Sequence, residues 1–319
     1  MPSIIDKLRQ RIHLASAGAE VFEVPMPDMS LAGVCRRIES QGLFVIGAAR
    51  TGTTILQNAL NDSHAIFLFG EPAFHNEGDS EDFAARYNAM HRSWGNQENK
   101  STYCPPLFEE DASWYAYLAR LAQTYRYVGS KIVINPLEAE DRASELFDFH
   151  CRHFYASRYL FTFRNPLDVL MSTRGLAELN GGTVSTYAEV IKSYFVVVQL
   201  FFRALRNLPH VEVVFHEAVE PATFRKLESW LATPLQHAGD YYSGSKVRHY
   251  ELTAVPEPHR PLVAEAVDLY DKLKRETLAG FELIQIEQNS GHFDQNHFTA
   301  LGQLSRDVSN FLRTIDAPS

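Results

Sequence analysis

Residues 42 to 54, Gly-Leu-Phe-Val-Ile-Gly-Ala-Ala-Arg-Thr-Gly-Thr-Thr, constrain this chain more than any other segment, because an apolar β-rich run passes directly into a turn of glycine, arginine and threonine. Gly47 and Gly52 allow a tight loop whose N–H groups converge on anionic oxygens. Arg50 adds a permanent cation, and Thr51, Thr53 and Thr54 add hydroxyl donors. Ile55, Leu56, Ala59 and Leu60 follow at helical spacing, so the positive end of a helix dipole faces the same place. A nucleotide-like anion is the expected ligand. The competing reading is a glycine-rich turn that binds nothing.

The ATP-binding pattern G-x-x-x-x-G-K-[ST] is the nearest comparison, and it requires lysine where this chain has Thr53. Here the cation precedes the second glycine instead. The resulting Arg-Thr-Gly-Thr-Thr resembles the 5′-phosphosulfate loop of sulfotransferases that use 3′-phosphoadenosine 5′-phosphosulfate (PAPS), in a variant similar to that of the carbohydrate-modifying and bacterial branch.

A second junction lies at residues 159 to 176, where Tyr159 to Phe163 form a β-rich run. Asn165 suits a helix N-cap and Pro166 the first helical position. Arg164 ends the strand, and Ser172 follows about two helical turns on, so an arginine and a hydroxyl can meet on one phosphate. Arg-x-Pro-x-Asp-Val-x-x-Ser is similar to the 3′-phosphate signature of the same family. The resemblance implies that Arg164 and Ser172 recognise the 3′-phosphate that distinguishes PAPS, and its product PAP, from ATP. Without a ligand, Arg164 would pair with a carboxylate such as Asp168.

The rest of the text alternates. Helices are expected at 3 to 14, 29 to 40, 53 to 61, 81 to 94, 112 to 125, 139 to 153, 184 to 207 and 221 to 231, with another after Pro166. Strands are expected at 43 to 47, 65 to 69, 127 to 134, 159 to 163 and 211 to 215. This order predicts an α/β fold with a mainly parallel central sheet flanked by helices, and the resemblance implies the P-loop-like sulfotransferase version of it. With 319 residues, 45% hydrophobic and 22% charged, one domain is expected: a core at about 42 to 250, a helical N-terminal extension at 1 to 41 and a helical C-terminal extension at 251 to 319. The last holds helices near 259 to 279 and 294 to 315; the second carries Phe298, Leu301, Leu304, Val308, Phe311, Leu312 and Ile315 on one face. That face either completes the core or forms a homodimer.

A net charge of -9 argues against a nucleic-acid partner. No run reaches the roughly 18 to 20 apolar residues of a transmembrane segment. The N-terminal text is not organised as a secretory signal, and Cys35, Cys104 and Cys151 show no metal or redox spacing, so a cytoplasmic location is expected.

Loops at the carboxyl ends of parallel strands form the usual ligand edge of such a sheet. Glu71 ends the second strand and resembles a glutamate of some carbohydrate sulfotransferases, which makes it the leading base; His75 and His64 compete for that role. Lys131, inside an apolar strand, is either an edge lysine reaching solvent or the cation that resembles the family's sulfuryl-contacting lysine. Arg50 and Lys131 would then steady the charge on the leaving phosphate. His216 stands where related sequences more often have tyrosine, and Lys246 and Arg248 fall in a polar stretch where the family has a nucleotide-covering loop.

The implied activity is sulfuryl transfer from PAPS to a hydroxyl, or less readily an amine, of a carbohydrate or small-molecule acceptor, by in-line displacement and with no metal. Its rivals are a catalytically silent nucleotide-binding protein and an ATP- and magnesium-dependent phosphotransferase.

Overall fold

A computed structural model describes residues 30–76, 83–95, 113–137, 139–242, 248–290 and 295–316. The expected helix at 3 to 14 lies outside them. Ser30 caps α1 (Leu31–Ile38), which leads through a short 3-10 turn into β1 (Gly42–Ala48). There follow α2 (Thr53–Asn61), β2 (Ile66–Gly70), α3 (Phe83–Gly95), α4 (Trp114–Leu121), β3 (Tyr127–Ile134), α5 (Ala139–His153) and β4 (Arg158–Phe163). Next are α6 (Pro166–Leu179), α7 (Tyr187–Asn207), β5 (His210–Phe215), α8 (Pro221–Leu231), α9 (Arg260–Ser290) and α10 (Gln295–Asp316).

The five strands form one sheet in the order β2-β3-β1-β4-β5, and every pairing is parallel. Strand β1 is buried along its whole length because both of its faces are covered. Leu43 and Val45 face α2 and α8 together with Leu56, Leu60, Phe224 and Leu227. Phe44 and Ile46 point the other way, into the larger core that holds α1, α4, α5, α7, α9 and α10. The chain moves from β1 toward β2 on one side and reaches β4 on the other. The carboxyl ends of β1 and β4 therefore flank the crevice where the strand order reverses.

Start signals read from the sequence operate locally. The Asn165 side chain accepts from Leu167 N at 2.9 Å with Pro166 opening α6. Thr186 and Glu189 form a capping box at α7. Leu301, Leu304, Val308, Phe311 and Leu312 of α10 are buried, with the Phe311 ring 5.0 Å from Phe195 of α7. Burying each such side chain is worth about 1.5–3 kcal/mol, so this face is spent inside the chain and a homodimer through α10 would have to use another face. Among the described residues no helix is long and apolar enough to cross a membrane.

Candidate active site

The loop after β1 is built around Thr51. Its N–H and its hydroxyl both donate to Ala48 O, at 3.3 and 2.8 Å, while its own carbonyl accepts from the Thr162 hydroxyl of β4 at 2.9 Å. The sequence suggests a Thr51 hydroxyl aimed at the ligand; in the fold that hydroxyl closes the turn, because an inward side chain has no solvent to compete with the carbonyl. Gly52 then opens α2 with φ +98° and offers no side-chain cap. The first backbone bond of the helix runs from Leu56 N to Gly52 O at 3.1 Å, so the amides of the preceding turn are those an anion would take. Thr53 is buried at the start of the helix.

Arg50 adopts φ +68°, a left-handed conformation costly for a non-glycine residue. From it the Nε donates to Ser172 Oγ on α6 at 3.1 Å. One hydrogen bond thus joins the two segments that resemble the 5′- and 3′-phosphate signatures.

Arg164, at the end of β4, is 9% exposed. Its Nη2 donates to the Arg248 carbonyl at 2.7 Å and lies 3.6 Å from Asp168 Oδ2. Its Nε is buried with no partner among the described residues. Asp168 accepts from Tyr250 N at 2.9 Å and stands 3.1 Å from His249 Nδ1. The expected pairing of Arg164 with Asp168 is therefore one contact in a larger clasp that fixes residues 248 to 250 over the site. Arg248 contributes its main chain to that clasp, and its side chain is exposed. Lys246 lies outside the described residues.

On the other flank, Lys131 corrects the edge-lysine reading. Strand β3 is interior, between β2 and β1, and the lysine side chain is 0% exposed. Its ammonium donates to Thr54 Oγ1 at 2.9 Å and to Glu71 Oε1 at 2.8 Å. Burial of the charge is tolerated because both partners are polar and one is anionic. Glu71 itself has φ +55° and Ala73 φ +51°, while Glu71 N donates to Lys131 O at 3.1 Å. The backbone is thus bent sharply at the end of β2, which turns the carboxylate toward the lysine.

A cavity of about 80 Å³ opens beside this pair, lined by Glu71, His75, Lys131, Asn135 and Arg142 among others. Burial, then the Arg142 charge, pushes the His75 imidazole down to about 4, so it is neutral near pH 7. His64 is exposed and precedes β2, at the amino edge of the sheet, so it does not share this site. Asn135 and Arg142 were missed from the sequence; the only available signal was that they follow the carboxyl end of β3.

His216 follows β5 in a short 3-10 turn, is 7% exposed, and packs against Gly52. Burial, then Arg164, lowers its pKa, with Glu217 and Asp168 opposing. Among the described residues no group of three or more His, Cys, Asp or Glu side chains is arranged to hold a metal ion.

A five-stranded parallel α/β sheet with a glycine-hydroxyl loop after its central strand and an arginine after the neighbouring one is an arrangement suited to holding an anion at the carboxyl edge of the sheet. Residues 42–237 match the model of the Sulfotransferase family, so the chain belongs to that family. Among solved structures it is similar to the sulfotransferase domain from the Synechococcus PCC 7002 olefin synthase, at 19% identity and TM-score 0.47, covering 68% of this chain and 80% of that one. It is also similar to sulfotransferase STF9 from Mycobacterium avium, at 14% identity and TM-score 0.42, covering 74% and 80%. No curated protein sequence matches it.

Proposed function

We propose that this protein transfers the sulfuryl group of PAPS to an acceptor hydroxyl by direct in-line displacement, releasing PAP. The observation that carries the reading is the Arg50 Nε to Ser172 Oγ hydrogen bond, which brings both phosphate-type loops to one crevice. The buried Arg164 Nε, without a partner among the described residues, fits the same reading, since a phosphate oxygen would satisfy it. So does the uncapped first turn of α2.

In the reaction the acceptor oxygen attacks sulfur, the new O–S bond forms as the sulfur to 5′-phosphate oxygen bond breaks, and the phosphate leaves with the electron pair. Glu71 takes the acceptor proton. In the structure its carboxylate is held by Lys131 at 2.8 Å, so the ammonium has first to turn toward the donor, freeing the carboxylate as base and placing positive charge on the leaving oxygen. Neutral His75 is the reserve base on the same cavity wall. No step in this scheme needs a metal. The reacting end of the acceptor enters the cavity beside Glu71; the Gly-Glu-Pro segment and Arg50 favour a carbohydrate hydroxyl.

Calorimetric titration with 3′-phosphoadenosine 5′-phosphate against AMP and ATP tests the donor. A preference for the bisphosphate, abolished by Arg164→Ala, is expected; equal affinity for all three would overturn the reading.

A further inference from the structure

The reaction just described gives His216 no task, yet the ring is buried against the loop that opens α2. It follows β5 in a short 3-10 turn, and β5 pairs with β4, which leads into Arg164. A Cβ added to Gly52 would stand 2.4 Å from His216 Nδ1, so the ring lies directly against the residue that opens α2. The Tyr242 ring is 5.5 Å away on another side. His216 Nδ1 is shut off from solvent and has no hydrogen-bond partner among the described residues.

With the proton on Nε2, the Nδ1 lone pair has no donor; with the proton on Nδ1, the N–H has no acceptor among the described residues. An anion held at the first turn of α2 would supply that acceptor, to the neutral Nδ1–H tautomer and more strongly to the imidazolium. We propose that His216 takes up a proton when the donor nucleotide binds, and that its imidazolium then adds a cation beside Arg164 at the start of α2. The proton comes from solvent and adds to a ring nitrogen lone pair; no bond of the ligand changes. The proposal rests on the bisphosphate-nucleotide reading of the site.

The charges around the ring set the direction of the coupling. Arg164 faces it from the end of β4, Asp168 from α6, Glu217 from its own turn and Tyr242 from the segment after α8, while Gly52 on the α2 side brings no charge. Asp168 is engaged by Arg164, His249 and Tyr250 N, and Glu217 by the Tyr270 hydroxyl and Lys274, so neither carboxylate is a close partner of the imidazole. Burial and Arg164 therefore favour the neutral ring. A bound phosphate offsets the Arg164 charge and reverses the local field, which favours the imidazolium. A tyrosine or glutamine here would hydrogen-bond without this coupling.

The test is calorimetric titration with 3′-phosphoadenosine 5′-phosphate at one pH in buffers of different ionisation enthalpy, on the wild type, His216→Gln and His216→Tyr. The wild type should take up a larger fraction of a proton than either variant. Its affinity should also rise more steeply as pH falls from 8 to 6, by up to about tenfold per pH unit for one whole proton. If the bisphosphate binds with the same proton uptake in all three, this proposal alone is overturned. If the wild type does not bind it, the nucleotide reading falls and the proposal with it. Should the variants fail to fold, NMR titration of the His216 ring in the wild type decides: an upward shift of its pKa on adding the bisphosphate is expected, and an unchanged value overturns the proposal.

Discussion

Lys131→Met replaces the ammonium at the centre of the site with an apolar side chain of similar length. In the wild type that ammonium is fully buried, 2.8 Å from Glu71 Oε1 and 2.9 Å from Thr54 Oγ1. Its removal leaves the Glu71 carboxylate, 24% exposed, without this counter-charge. Breaking a fully buried pair costs about 3–5 kcal/mol, and water reaching Glu71 reduces that, so a loss of about 2 kcal/mol is expected. Adding Glu71→Gln removes the stranded charge and should return about half of it. Urea unfolding of the four proteins at constant m gives the coupling directly. The assay extends to turnover: Lys131→Met should lower kcat by about 10²–10³-fold, and Glu71→Gln should add less on that background than it does alone. Stability losses that simply add, to within about 0.5 kcal/mol, would refute the argument that the two side chains act as a pair.

Two other perturbations probe the same framework. His75 has its pKa lowered from 6.5 to about 4 in the fold, so protons prefer the unfolded chain. Stability should therefore fall as pH drops from 6.5 to 4, level off below, and lose about 3 kcal/mol in all, at about 1.4 kcal/mol per pH unit; His75→Gln should flatten that acid limb in urea midpoints measured against pH. Gly52→Ala places a side chain at φ +98° and a Cβ 2.4 Å from His216 Nδ1. It should cost at least about 1 kcal/mol from the backbone alone and weaken bisphosphate binding. The double variant with His216→Ala should recover the space but not the backbone cost, and full recovery of stability would show that the backbone conformation is not strained for alanine.

What the sequence disclosed was local. Strand β3 and helices α5 and α8 begin and end where apolar periodicity and prolines such as Pro221 mark them. Helix α4 stops at Leu121, short of the expected 125, and the Gln41 side chain donates to the carbonyls of Ala122 and Tyr125 in the stretch beyond it, a tertiary contact invisible in the helix's own text. Helix α9 runs on to Ser290 past the expected 279, because Gly280 is weak punctuation, costing only about 1 kcal/mol against alanine. The site was legible as two loops and a few suspected side chains. Their pairings were not, since Arg50 with Ser172, Lys131 with Glu71 and His216 with Gly52 each join residues from different strand ends.

The arginine at position 50 gains meaning from that last point. A lysine in the same loop offers one ammonium, whose donors radiate from a single atom, and it could address either a phosphate or Ser172 without fixing its own direction toward the other. The guanidinium separates the two tasks: Nε is committed to Ser172 Oγ, and the planar fork leaves both Nη groups as further donors in a fixed relation to it. The left-handed backbone at Arg50 accompanies the contact that brings its Nε onto α6. Ser172 is in turn held at a fixed distance from Arg164 by the helix between them. On the proposed reading, a donor that engages the fork would meet a cation already tied to the segment of Arg164 and Ser172, and its binding cost would be reduced because the two loops are joined before it arrives.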